Sequence, residues 1–231
     1  MPLPVLETSK HTIEIPSTKK KIEIRPFLVK EEKLLIQAQQ SEDQKQILKM
    51  IKEIINVCAF NKIKVNDLTM FDLEYIFLQL RAISVGETVD FNIKCEECGK
   101  ENVVTLDLTE AKIHWPETEV DPRIIIEEEI GLTLRSIRVK DIDSMEDDND
   151  VTSAIIASIE SIFDKDNVYL TDETDRSELE TFVDSLGHKH LESIQKFIAN
   201  QPKLEHNLKY TCKFCGHENE YKLSGLSDFF I

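Results

Sequence analysis

Glycine is scarce in this chain, with six in 231 residues. The Gly-rich phosphate loop, the dinucleotide fingerprint G-x-G-x-x-G, the nucleophile elbow G-x-S-x-G and the zinc-protease motif H-E-x-x-H are all missing. No familiar catalytic constellation is therefore in view, and a non-enzymatic protein is expected. Positive charge is also short: 28 Lys and Arg stand against 44 Asp and Glu, for a formal net charge of -16. Binding a polyanion draws its affinity from clustered Lys and Arg, so this balance weighs against a nucleic-acid partner. The one basic cluster, Lys19-Lys20-Lys21, falls between HTIEI and KIEIR and reads as a solvated hairpin turn. Long apolar runs are lacking, since no stretch approaches the roughly 18 uncharged residues of a membrane helix. The opening MPLPVLETSKHTIEIP has neither a basic segment nor an apolar run, so no signal peptide is expected. Those absences predict a soluble protein made in the cytosol with reduced cysteines, without membrane or small-molecule partners.

Among five cysteines, four form two C-x-x-C-G knuckles: Cys95-Glu-Glu-Cys98-Gly99 and Cys212-Lys-Phe-Cys215-Gly216. Their flanks repeat as well. FNIKCEECGKENVVTLDL, residues 91–108, aligns without a gap on LKYTCKFCGHENEYKLSG, residues 208–225, matching Glu101 with Glu218, Asn102 with Asn219 and Leu106 with Leu223. Each copy predicts strand, knuckle, strand, with Phe91/Ile93 and Leu208/Tyr210 inward on the way in and Val104/Leu106 and Tyr221/Leu223 inward on the way out. A C-x-x-C turn offers two sulfurs to one tetrahedral ion, and two such turns complete a structural zinc sphere of Cys95, Cys98, Cys212 and Cys215. With all four positions filled by thiolates, no place remains for water or substrate. A redox C-x-x-C should open a helix in a βαβ context, which neither copy does. Iron fits the same four sulfurs, so the metal is zinc or iron by this reading. Closing the loop across residues 99–211 removes on the order of 5 kcal/mol of unfolded-state freedom by analogy with a disulfide. Cys58, on a stripe with Ile47, Met50, Ile51, Ile54 and Ile55, is expected to be a buried thiol.

The predicted fold class is α+β: a helical N-terminal half and a helical insert joined by a two-knuckle, four-cysteine zinc ribbon made of two β-hairpins. Residues 1–29 form an N-terminal β segment, with Ile13-Glu14-Ile15 and Ile22-Glu23-Ile24 alternating. Residues 30–86 form a helical region of helices at 31–39, 43–60 and 69–85, the last apolar almost all round and stopped by Gly86. Residues 87–110 and 207–231 form the split ribbon and tail. Residues 111–206 form an insert with a hairpin around Ile130-Gly131 and helices at 151–163, 177–186 and 188–200, with Ser177/Glu180 as a capping box.

The acidic run Asp141 to Asp150 lacks the glycine and spacing of a calcium loop and reads as solvated. His11, His114, His188, His190, His206 and His217 do not group. Trp115 is expected in the core. Phe229-Phe230 either docks on its own domain or is offered to a partner.

Three further segments carry a family likeness: Arg25-Pro-Phe-Leu-Val-Lys-Glu-Glu32, Phe71-Asp-Leu-Glu-Tyr-Ile-Phe-Leu-Gln-Leu-Arg81 and Leu223-Ser-Gly-Leu-Ser-Asp-Phe-Phe230. Together with Pro202-Lys-Leu-Glu-His206, they make the chain resemble the T4-type bacteriophage baseplate hub proteins over nearly its whole length. The resemblance implies a structural or assembly protein of a contractile tail's hub. Its partners would be other hub or tape-measure proteins, and it would act in the host cytoplasm with or without retention in the virion. The rival class is a zinc-ribbon nucleic-acid-binding or transcription-associated module, which needs a basic face.

Overall fold

In the N-terminal hairpin, alternation of isoleucine with charge produces β1 (His11–Glu14) and β2 (Lys21–Ile24), paired antiparallel with Ile13 opposite Ile22. The turn closes through the Lys19 N–H on the Ile15 carbonyl, and Lys19 adopts a positive φ of 57°. The computed structural model describes residues 8–40, 43–143, 145 and 150–228. The chain clusters into two compact units, one of residues 1–65, 71–114 and 203–231, the other of residues 66–70 and 115–202.

The first unit continues through α1 (Val29–Gln40), α2 (Gln44–Cys58) and α3 (Met70–Val85). Glu31 starts α1. Its carboxylate accepts the Leu28 N–H at 2.7 Å and faces the Arg25 guanidinium at 3.0 Å, satisfying a helix-end amide and a buried cation together. Asp43 caps α2 by accepting from the Lys45 and Gln46 N–H groups. On the inner face of that helix Ile51, Ile54, Ile55 and Cys58 are buried. Helix α3 is buried along Leu73, Ile76, Phe77, Leu78 and Leu80, as its continuous apolar surface requires.

Gly86, at φ 143°, ends α3, and β3 (Thr88–Lys94) pairs with β4 (Glu101–Asp107). The second hairpin, β10 (Lys203–Thr211) with β11 (Glu218–Ser224), gains a third strand, β5 (Lys112–His114), on the free edge of β10. Leu78 and Ala82 of α3 share one apolar cluster with Phe91, Leu106, Leu108, Ala111, Leu204, Leu208 and Leu223. A helix and two hairpins distant in sequence thus make one core. Tyr221 departs from the predicted inward set, standing 40% exposed, whereas the matching Val104 is half-buried.

The second unit corrects the expected helix at 151–163. Helix α5 runs only Val151–Ser158, and Ile159–Phe163 is strand β8. It lies inside a four-stranded antiparallel sheet in the order β6 (Arg123–Ile125), β7 (Gly131–Leu134), β8, β9 (Val168–Leu170). Ile155, Ile159 and Ile162 do share helical spacing. Five residues of IESIF fit either period, and pairing on both edges with β7 and β9 decides for the strand. The insert therefore carries a sheet as well as α4 (Val139–Ile142), α5, α6 (Arg176–Asp184) and α7 (His188–Ala199). Leu132, Leu134, Ile155, Ile159, Leu179, Val183 and Ile194 form its core.

The capping box at Ser177/Glu180 is not formed. Helix α6 begins earlier, after Asp175, and Glu180 instead pairs with Arg176 one turn back at 2.8 Å. Trp115 is 51% exposed, against the expectation of a core residue. A polar belt accompanies the apolar core: Arg135 holds Asp141 at 2.7 Å, while Arg138 and Lys140 reach Asp172 at 3.3 and 2.6 Å.

Candidate metal centre

Each knuckle is built by the same two backbone hydrogen bonds. In the first, the Cys95 N–H donates to the Lys100 carbonyl at 3.0 Å and the Gly99 N–H to the Cys95 carbonyl at 2.9 Å. In the second, Cys212 and Gly216 repeat these bonds to His217 and Cys212, at 2.8 and 3.0 Å. The turn demands a left-handed residue after the second cysteine. Gly99 and Gly216 supply it at φ 68° and 76°, where a side chain would be strained.

All four sulfurs lie within 4.8 Å of one another and could hold a metal ion. Cys95 Sγ is 3.7 Å from Cys215 Sγ, and Cys98 Sγ is 3.6 Å from Cys212 Sγ. Sulfurs bound at about 2.3 Å to a tetrahedral ion stand about 3.8 Å apart, so these edges match a common metal. A disulfide would need sulfurs about 2.05 Å apart, and the cysteines are free thiols. Cys95 and Cys212 are buried, Cys98 is intermediate and Cys215 is exposed, so the cluster lies at the surface on one side.

A comparison with protein families matches residues 8–231 to the T4 bacteriophage base plate protein. The chain belongs to that family. No curated protein and no solved structure matches it.

In this member of the base plate family, backbone donors favour the thiolate at the first cysteine of each knuckle. Cys95 is held below the usual thiol range by the Cys98 N–H and, against the opposing effect of burial, by the Glu97 N–H and Asn219. Burial works to raise Cys212, but the Phe214 and Cys215 N–H groups and Asn102 outweigh it and bring the thiol down to about 6. At Cys215 the His217 N–H favours the thiolate, yet burial and the neighbouring thiols prevail and push it up to about 12. Four sulfurs this close cannot all be anionic without a cation among them, and a bound dication would offset that repulsion.

Asn102 and Asn219 occupy matched positions in the repeat, but the pattern of cysteines gave them no role. In the structure both are buried and both cross to the opposite knuckle. Asn102 accepts the Lys213 N–H at 2.9 Å, and Asn219 accepts the Glu96 N–H at 3.0 Å. The signal that could have found them was the coincidence of two amides at the same distance from two repeated knuckles.

Other residues singled out from the sequence stand elsewhere. Cys58 is fully buried, and burial pushes its thiol up to about 11, as befits a core residue. His188 is exposed beside Glu192 in α7 and joins no metal cluster among the described residues. Residues 144 and 146–149 of the acidic run, and Phe229-Phe230, lie outside the described residues. Among those described, no helix is long and apolar enough to cross a membrane.

The segments that carried the family likeness turn out to have structural tasks. Arg25 and Glu31 fix the start of α1, and Tyr75 and Leu78 lay α3 on the two hairpins. Asp72, within the same helix motif, accepts the Ser17 N–H at 2.9 Å and its hydroxyl at 2.5 Å, fastening the N-terminal hairpin to α3.

Proposed function

We propose that this protein is a non-enzymatic structural or assembly component of the baseplate hub. It acts through contacts with other hub or tape-measure proteins, and Cys95, Cys98, Cys212 and Cys215 bind one structural zinc ion. The observation that carries the reading is a base plate family match over residues 8–231 around a four-sulfur cluster. Four thiolates fill a tetrahedral ion, which leaves it without a position for substrate and suits it to architecture. The net charge of -16 favours protein surfaces, basic ones above all, over nucleic acid as partners.

By this reading the chain divides into a β segment of residues 1–29, a helical region of 30–86, a split ribbon and tail of 87–110 and 207–231, and an insert of 111–206. Assembly takes place in the host cytoplasm, and retention in the finished tail separates a subunit from an assembly factor.

Mass spectrometry of purified tails and of hub intermediates tests the role. Presence in both identifies a subunit, presence in intermediates alone an assembly factor, and absence from both overturns the hub reading. Metal analysis of protein purified without added metal tests the site: one zinc per chain is expected, and free thiols with neither zinc nor iron would remove it. Salt-sensitive, submicromolar binding to DNA or RNA at physiological salt would favour the nucleic-acid class instead.

A further inference from the structure

The contacts of Asn102 and Asn219 obey an exchange rule. Asn102 Oδ1 accepts the N–H of Lys213, the residue after the first cysteine of the other knuckle. Its Nδ2 donates to the Lys100 carbonyl of its own knuckle at 3.0 Å and to Cys212 Sγ at 3.5 Å. Asn219 Oδ1 accepts the N–H of Glu96, again the residue after the other knuckle's first cysteine. Its Nδ2 donates to the His217 carbonyl of its own knuckle at 3.0 Å. Exchanging the two copies maps the bonds to the backbone amides and carbonyls onto one another.

Asn102 is 2% exposed and Asn219 is 5% exposed. A buried amide with its donors and acceptor engaged is rigid, and removing it strands the groups it served. Neither side chain needs an ion for its bonds to backbone amides and carbonyls. In the strands that carry the knuckles, Phe91, Leu106, Leu208 and Leu223 already join the two hairpins in one apolar cluster. Small zinc fingers lack such a core and fold only around their metal. Here the two knuckles are tied together by side chains that would stay bonded in a metal-free chain.

We propose that Asn102 and Asn219 are reciprocal latches that hold the two knuckles face to face ahead of the metal, so that a folded chain takes the ion into a preassembled four-sulfur site. They are positioning residues, acting on the cysteines and not on the ion. The metal-loading part of this proposal rests on the proposed metal site, whereas the latch itself does not.

The test uses the full chain stripped of metal with a chelator under reducing conditions, with Co2+ and Zn2+ as probes. In the metal-free protein the amides of Glu96 and Lys213 should exchange with solvent slowly. Exchange at the rate of an open loop overturns the latch. Co2+ should enter with the absorption of a tetrahedral thiolate site and without a change in far-ultraviolet circular dichroism. Uptake accompanied by a large gain of secondary structure overturns preassembly.

Asn102→Ala and Asn219→Ala should each weaken Zn2+ binding by about 10- to 100-fold in a chelator competition, the range for outer-shell partners of metal ligands. The paired variant should lose less than the product of the two, because losing one latch already loosens the interface that the other serves. Asn102→Asp, which keeps the acceptor for Lys213 and loses the donors, should fall between Asn102 and Asn102→Ala. The exposed Asn92→Ala is the control. Unchanged affinity and uptake in both alanine variants overturns the proposal. Should they misfold, amide protection in the unmodified chain still decides the latch. Should the unmodified chain bind neither ion, the metal site fails while amide protection again decides the latch.

Discussion

The two knuckle hairpins begin from nearly the same sequence and end in different surroundings. Their turns coincide bond for bond, because Cys-x-x-Cys-Gly dictates a local geometry that four backbone groups complete. Beyond the turns they part. The first hairpin is a two-stranded ribbon, and the second takes β5 along its edge. Position Val104 is half-buried, and the matching Tyr221 is 40% exposed. Position Asp107 caps a short turn through Thr109, while the matching Ser224 donates its N–H to Asp228 at 2.8 Å. Repetition thus fixes what is local to the turn, and neighbours from other parts of the chain fix the rest.

The strongest way to break the equivalence is through the sulfurs. Cys95→Ser and Cys212→Ser should each abolish stoichiometric metal and lower Tm by similar amounts, more than any apolar truncation in either hairpin, since the ion's binding energy is then lost to the folded state. Metal analysis with thermal unfolding reads both, and clearly unequal falls would show that one knuckle carries the site.

Next in size are the cores of the outgoing strands. Leu106 and Leu223 are matched and essentially inaccessible, so Leu106→Ala and Leu223→Ala should each cost about 2–5 kcal/mol in denaturant unfolding. Tyr221→Ala should stay within about 0.5 kcal/mol, as a substitution on an open surface does. A large loss at Tyr221 would mean that the copies bury the same face after all.

Smaller and again equal effects are expected at the turns. Gly99→Ala and Gly216→Ala meet no atom within 4 Å, so only the left-handed backbone opposes them. Each should cost about 1 kcal/mol, and metal affinity should fall in parallel for the two.

The smallest effect separates the hairpin exits by pH. The Thr109 hydroxyl and N–H hold Asp107 below its ordinary pKa. A depressed carboxylate contributes stability that is complete above its unfolded value of about 3.9 and is lost as pH falls through the folded one. As pH falls below the unfolded value and through the folded one, protection of the Thr109 amide relative to its intrinsic exchange rate should therefore fall, and Asp107→Ser, which copies the second hairpin, should remove that dependence.

Much of the site was legible because its determinants are close in sequence. The knuckle spacing announced four sulfurs, and the repeat around them announced two hairpins. The alternating isoleucines of the N-terminal hairpin and the apolar surface of α3 were equally plain, as period and burial follow directly from side-chain type. Strand β8 was not, because five residues support two periods and the choice belonged to β7 and β9. Asp72 reads from the sequence as a capping partner of Thr69, and only the fold brings Ser17, 55 positions earlier, to its carboxylate. Trp115 was misplaced since size argues for burial but does not require it.

The sequence by itself determined the turns, the four candidate cysteines and the order of most elements, for these depend on residues a few positions apart. Only the tertiary structure decided that Asn102 and Asn219 serve each other's knuckles and that Leu78, Phe91, Leu208 and Leu223 share one core. Those are meetings of distant segments, and their partners are selected by burial and hydrogen-bond satisfaction across the whole fold.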